Sequence, residues 1–222
     1  MKKFFIIFVT ILLACFCLFS GCKKDEGLSK YVSQLHSDVF SGKSENFSVR
    51  ATYGFVEKDF NNDGKVLTRV YQLNFHLLDK QLDQQTYYVY LTYNGHEYQG
   101  SFSLNPTTHT LNCSLQIENF NDKEFTITIG TSVEKEQVLL KSIVPKNTLS
   151  QEKALEKLQK NQPSLIKSYY ENGKFTAEIY QRIVVKEQKS YWYIGFASGN
   201  GNLKALLLDG FTGEVLAIRE VF

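Results

Sequence analysis

From Phe47 to Val144 the apolar residues fall mostly at every second position. Phe47, Val49, Ala51, Tyr53 and Phe55 alternate with Ser48, Arg50, Thr52 and Gly54. Leu67, Tyr71, Leu73, Phe75 and Leu77 lie among Thr68, Gln72, Asn74 and His76 in the same way. Alternation of this kind predicts half-buried strands, because successive side chains of a strand point to opposite faces. Tyr87, Val89, Leu91 and Tyr93 run into Asn94-Gly95, a dipeptide that tolerates positive φ at both places and so predicts a two-residue hairpin turn. Tyr98, Phe102 and Leu104 return from it. Leu111 to Ile117, Phe125 to Ile129 and Val138 to Val144 complete about seven strands at short spacing, a pattern that favours an immunoglobulin-like β-sandwich, with a small barrel as the alternative.

The period changes on either side of this block. Leu28, Tyr31, Val32, Leu35, Val39 and Phe40 recur at spacings of three and four, which predicts a helix over 28–41 that stops at Gly42. Pro145 to Leu149 reads as a boundary. Beyond it, Ser150 is placed to cap a helix whose apolar side is Ala154, Leu155 and Leu158, and which ends before Pro163. Strand-like runs follow over 165–170, 175–185, 191–197, 203–208 and 214–221, with a second Asn-Gly turn at Asn172-Gly173. One helix and an antiparallel meander form an α+β layer.

Ahead of all this stands a cationic start, Lys2-Lys3, and an apolar run from Phe4 with no charge until Lys23. That is the layout of an export signal, and it is too short and too interrupted by small residues to predict a permanent span. Its end, Phe19-Ser20-Gly21-Cys22, resembles the lipobox of bacterial lipoproteins. The resemblance implies cleavage between Gly21 and Cys22 and diacylation of Cys22. Two acyl chains hold a protein on a bilayer where one gives only reversible attachment. The expected location is the extracytoplasmic face of the cell membrane.

A second resemblance lies near the other end. Ser150-Gln151-Glu152-Lys153-Ala154, Tyr191-Trp192-Tyr193-Ile194 and Leu208-Asp209-Gly210-Phe211-Thr212-Gly213-Glu214 look like a PepSY-type domain, a family proposed to restrain peptidases. The chain then divides into a signal peptide over 1–21, a tether and short helix over 22–45, a β-sandwich over 46–145 and a PepSY-like helix-plus-sheet domain over 146–222. Independently of that resemblance, Asp209 and Thr212 are placed to bond the amides of their own turn.

Composition narrows the partners. Of 25 Lys and Arg, Lys2 and Lys3 leave with the signal, so 23 basic residues balance 23 acidic ones. A neutral exported chain has no electrostatic footprint for nucleic acid. Of four cysteines, Cys15 and Cys17 leave with the signal and Cys22 is acylated, so Cys113 has no partner for an intramolecular disulfide.

Candidate chemistry is sparse. Asp59, Asn61, Asp63 and Gly64 match the first half of a calcium loop, but Val70 stands where the bidentate glutamate is needed, so a polar hairpin loop is the expectation. Cys113 is in phase with Leu111 and Leu115 and points at the core. His36, His76, His96 and His109 lack metal-ligand spacing and are expected to be solvated. Trp192, the only tryptophan, alternates with Ile194 and Phe196 and is expected in the core. Tyr88 and Tyr90 form a contact patch if their face is free, or lie beneath the 28–41 helix if it is covered. No nucleophile elbow, zinc-protease motif or phosphate loop occurs. The expectation is a lipid-anchored, non-enzymatic binding module without cofactor, partnered by an envelope protein or a secreted peptidase. An envelope enzyme is the remaining alternative.

Overall fold

The computed structural model describes residues 27–58, 65, 68–78, 86–106, 110–199 and 201–221. A 3-10 turn, Gly27–Tyr31, leads into strand β1, Val32–Lys43. Then come β2 (Ser48–Glu57), β3 (Arg69–Leu77), β4 (Tyr88–Tyr93), β5 (His96–Ser101), β6 (Ser103–Asn105), β7 (Thr110–Gln116), β8 (Glu124–Gly130) and β9 (Lys135–Ser142). After residues 143–150 follow helices α1 (Gln151–Asn161) and α2 (Pro163–Ser168), then a hairpin of β10 (Tyr170–Glu171) and β11 (Lys174–Phe175). A meander of β12 (Ala177–Lys186), β13 (Lys189–Ser198), β14 (Leu203–Asp209) and β15 (Val215–Val221) ends the chain.

Thirteen strands form one sheet, and β1 is its hub. β1 pairs antiparallel with β2 along most of its length. At its far end Phe40 and Ser41 pair with Ser142 and Lys141 of β9, while at its near end Gln34, Leu35 and His36 pair in parallel with Tyr180, Gln181 and Arg182 of β12. One arm runs β1-β2-β3-β7-β6 and a second runs β1-β9-β8-β4-β5, so the sheet wraps nearly closed around a first core. Phe40, Phe75, Leu73, Ile127, Ile129 and Leu140 lie in that core. The third arm, β12-β13-β14-β15, continues the sheet past β1, and α1 and α2 cover a second core of Leu155, Leu158, Ile166, Trp192, Ile194 and Phe196.

This architecture corrects the expected one. The strands over 46–145 do not make a two-sheet immunoglobulin-like sandwich, because both of their arms are hydrogen-bonded to β1. No separate PepSY-like helix-plus-sheet domain forms over 146–222 either. β12 would be an open edge in such a domain, and here its backbone groups are taken up by β1, which removes the edge.

The helix expected over 28–41 is also wrong, and the reason is local. The register of β1 shifts between Val32 and Gln34 against β12 and between His36 and Asp38 against β2. Each irregularity resets the two-residue alternation, so the buried Val32, Leu35 and Val39 end up three and four apart. Bulged strands covered on both sides imitate a helical period. Gly54 is the matching adjustment on β2: a Cβ there would stand 1.8 Å from the Leu35 carbonyl oxygen, so only glycine admits this approach.

Other expectations hold. Asn94 and Gly95 have φ of 50° and 77° in a hairpin that pairs Tyr93 with His96. Ser150 accepts from the Lys153 amide at the start of α1. The strand read over 165–170 is instead mostly α2: Pro163, which cannot continue α1, opens a new helix where its missing N–H costs nothing. Among the described residues no helix is long and apolar enough to cross a membrane. Gly21 and Cys22 lie outside the described residues, as do Asp59, Asn61 and Asp63 of the candidate calcium loop.

Candidate functional site

Where the two cores meet, the sheet leaves a cleft of about 440 Å³. One wall is the bulged part of β1 and the β7–β8 loop, and the other is the segment entering α1. The wall on the first core is held by tyrosines. Tyr53 Oη accepts from the Phe120 amide at 3.1 Å, while Tyr93 Oη donates to the Asn119 carbonyl and accepts from the Asn121 amide, both at 3.2 Å. Asn119 has a φ of 54°, which turns the loop inward. Phe120 then sits among Tyr53, Tyr93, Phe40 and Phe125 with ring centroids 4.7–6.0 Å apart. The loop is thus fixed by aromatic packing and not by a ladder.

Asp38 is the buried charge of the cleft, with 5% of its surface exposed. It follows the bulge in β1, which aims its carboxylate at three donors: the Val39 amide at 2.9 Å, Ser142 Oγ at 2.6 Å and the Lys123 ammonium. A buried carboxylate needs such partners to offset its lost hydration. Asp38 therefore ties β1, β9 and the β7–β8 loop together at one point.

The opposite wall is held by Trp192. Its Nε1–H donates to the Leu149 carbonyl at 3.0 Å, and the Leu149 amide donates to the Gly210 carbonyl at 2.7 Å. Thr148 Oγ1 and Ser190 Oγ are 2.8 Å apart alongside. Gln151 Nε2 donates to Glu152 Oε1 at 2.8 Å. Burial pushes the Glu152 carboxyl up, but hydrogen bonds from its own amide, Gln151 and Ser150 outweigh that and hold it below the usual glutamate value. Burial pushes the Tyr53 phenol up, against the opposing bond from the Phe120 amide.

The residues singled out in the sequence fall mostly elsewhere. Tyr88 and Tyr90 are half-buried on β4, their rings 6.4 Å apart, with Lys135 Nζ 4.0 Å from the Tyr90 centroid. No helix from 28–41 covers them, and Tyr88 borders a second, separate cavity of about 460 Å³ beside the 131–134 turn. Cys113 is buried in the first core, and burial pushes its thiol up to about 11, so it is an inert hydrophobe. Asp209 Oδ1 accepts from the amides of Phe211 and Thr212 at 2.9 and 2.8 Å and from Thr212 Oγ1 at 3.1 Å, the structural role expected for this turn.

Trp192 is in the second core as expected, and it also lines the cleft. His36 is half-buried rather than fully solvated: burial first, then Arg182 and His76, hold its imidazole down at about 4. Asp38, Lys123, Phe120 and Gln151 were missed. Asp38 and Lys123 are 85 positions apart and meet only through the sheet, so no spacing motif announces them.

No family model and no curated protein matches the chain. Among the described residues no group of three or more His, Cys, Asp or Glu could hold a metal.

Proposed function

We propose that this chain is an envelope lipoprotein that binds a ligand in the cleft between its two cores and does not transform it. Cys22 is the acylated residue, cleavage falls after Gly21, and the folded part stands on the extracytoplasmic face of the cell membrane. The observation that carries the reading is the cleft itself. Its size is that of small-molecule sites, roughly 300–1,000 Å³, and its lining mixes apolar side chains with a few fixed polar groups. Asp38, its buried carboxylate, is spent on Lys123, Ser142 and Val39, which supports a positioning role over an acid–base one. Tyr88 and Tyr90 offer a separate contact surface for an envelope protein. Restraint of a peptidase loses the domain that suggested it.

Anchoring is tested by labelling cells with an alkyne palmitate analogue. The wild-type chain takes up label, and Cys22→Ser does not. Equal labelling of the two would overturn the anchor.

A further inference from the structure

We infer that β15 is an open edge which takes up an extended segment of a partner protein as a further strand, with aliphatic side chains on the helix side and a carboxylate opposite Arg219. This edge shares no residue with the lining of the junction cleft. Three observations carry the inference.

The first is the backbone. β15 ends the sheet on one side and pairs with β14 alone. Its register shift falls at Leu216, and from Ala217 to Val221 it pairs in unbroken order with Leu207 to Leu203. Along such a stretch alternate residues turn their N–H and C=O groups away from the only neighbour, and those groups are a template for another strand. The other end strands of the sheet are poorer templates: β6 has three residues, and β5 has no aliphatic side chain.

The second is an unfinished core. Opposed residues of paired strands share a face, so Ile194 of β13, Leu206 of β14 and Ile218 of β15 form one row on the side covered by α1 and α2. Their exposures are 0%, 1% and 52%. The helical layer stops over β14, and the row ends with an isoleucine in solvent. Leu216, two positions earlier, is exposed as well. A strand added to β15 continues the row, because every second side chain of it points to that face.

The third is charge. On the opposite face Arg219 stands across from Ala205, which stands across from Gly195, so the sheet offers its guanidinium no carboxylate. Arg219 is exposed and makes no ion pair among the described residues. Glu220, the one acid of the regular stretch, is committed to Lys204. Lys157 adds an exposed cation at the start of the strand, where it lies against Gly213 and where Asn161 Nδ2 donates to the Gly213 carbonyl at 3.5 Å. Against these two cations stands one uncommitted acid, Glu214, in the preceding turn. A carboxylate opposite Arg219 completes a cross-strand ion pair. A second copy of β15 cannot supply it. A twofold axis keeps the two faces of a sheet, so Arg219 would meet only Val215, Ala217, Val221 or itself.

The test titrates the purified full chain into a fluorescein-labelled, amidated pentapeptide, threonine-valine-glutamate-valine-threonine, and follows anisotropy. Binding is saturable below 1 mM and at least fivefold tighter than for the same peptide with lysine at its centre. A version N-methylated at its three central amides, which cannot join a ladder, loses at least tenfold. Amide exchange followed by NMR slows within 217–221 on binding and is unchanged in β5 and β6. Arg219→Glu, a change on an exposed residue, reverses the preference in favour of the lysine peptide, which a merely damaged fold does not do. Ile218→Ser weakens both peptides at least threefold.

Equal binding of the glutamate and lysine peptides, undiminished binding of the N-methylated one, an unreversed preference in Arg219→Glu, or no saturable rise up to 5 mM would overturn the inference. So would exchange within 217–221 slowed by protein concentration alone with a doubled mass in light scattering, since a second copy then occupies the edge. None of these outcomes bears on the cleft or on the labelling of Cys22.

Discussion

Val39 and Phe40 are consecutive in β1, and they are buried in different cores, with 2% and 1% of their surfaces exposed. A single strand thereby fastens the wrapped sheet to the helix-covered one. Phe40→Ala opens a cavity in the first core and is expected to cost about 3–5 kcal/mol, with Val39→Ala somewhat less. Because the strand is shared, each substitution lowers the urea midpoint read from either core, and a loss confined to one core would argue against it.

Gly54 tests the close approach of β2 to the bulge. A methyl group there meets the Leu35 carbonyl oxygen at 1.8 Å, and a backbone atom cannot rotate away. Gly54→Ala is expected at or above the upper end of the about 1–3 kcal/mol typical of overpacking. Differential scanning calorimetry measures it, and a neutral substitution would show that β1 does not take this path.

Asp38 and Lys123 are an asymmetric pair, since the lysine side chain is 76% exposed and the aspartate 7%. Lys123→Ala removes an ammonium that water replaces, and should cost about 0–1 kcal/mol. Asp38→Ala leaves Ser142 Oγ and the Val39 amide without their acceptor, and should cost about 1–3 kcal/mol. Equal costs for the two would place the pair in solvent.

His36 sets a pH dependence. Its folded-state value, about 4, lies below the ordinary 6.5, chiefly through burial and then through Arg182 and His76. Between those values the unfolded chain binds a proton that the folded one does not, so stability falls as pH drops from about 6.5 toward 4. The loss reaches at most about 3.5 kcal/mol, at roughly 1.4 kcal/mol per unit of pKa. His36→Gln flattens this part of the profile in urea titrations across that range, and an unchanged slope would remove His36 as its source.

The local parts of the fold were legible in the sequence. Alternation marked β2, β3, β4 and β8, Asn94-Gly95 and Asn172-Gly173 marked turns, and Ser150 marked the start of α1, because each depends on residues a few positions apart. β1 was not legible: its two irregularities turn a period of two into spacings of three and four. Nor was the parallel pairing of Gln34 with Tyr180, which joins the two halves of the sheet across 146 positions. The cleft depends on that pairing, as Asp38, Phe120, Gln151 and Trp192 come from four distant segments. Each of them carries a sufficient local role of its own, and nothing in their spacing announces the convergence.

One equilibrium experiment bears most directly on whether the junction is a fixed part of one sheet. Trp192 lies in the second core and Cys113 in the first, so tryptophan emission and thiol accessibility in a chain carrying Cys15→Ser, Cys17→Ser and Cys22→Ser report the two halves separately. Their urea transitions are expected to coincide in midpoint and steepness, as for a single cooperative unit. Two separated transitions would mean that the halves fold apart, and that no fixed cleft lies between them.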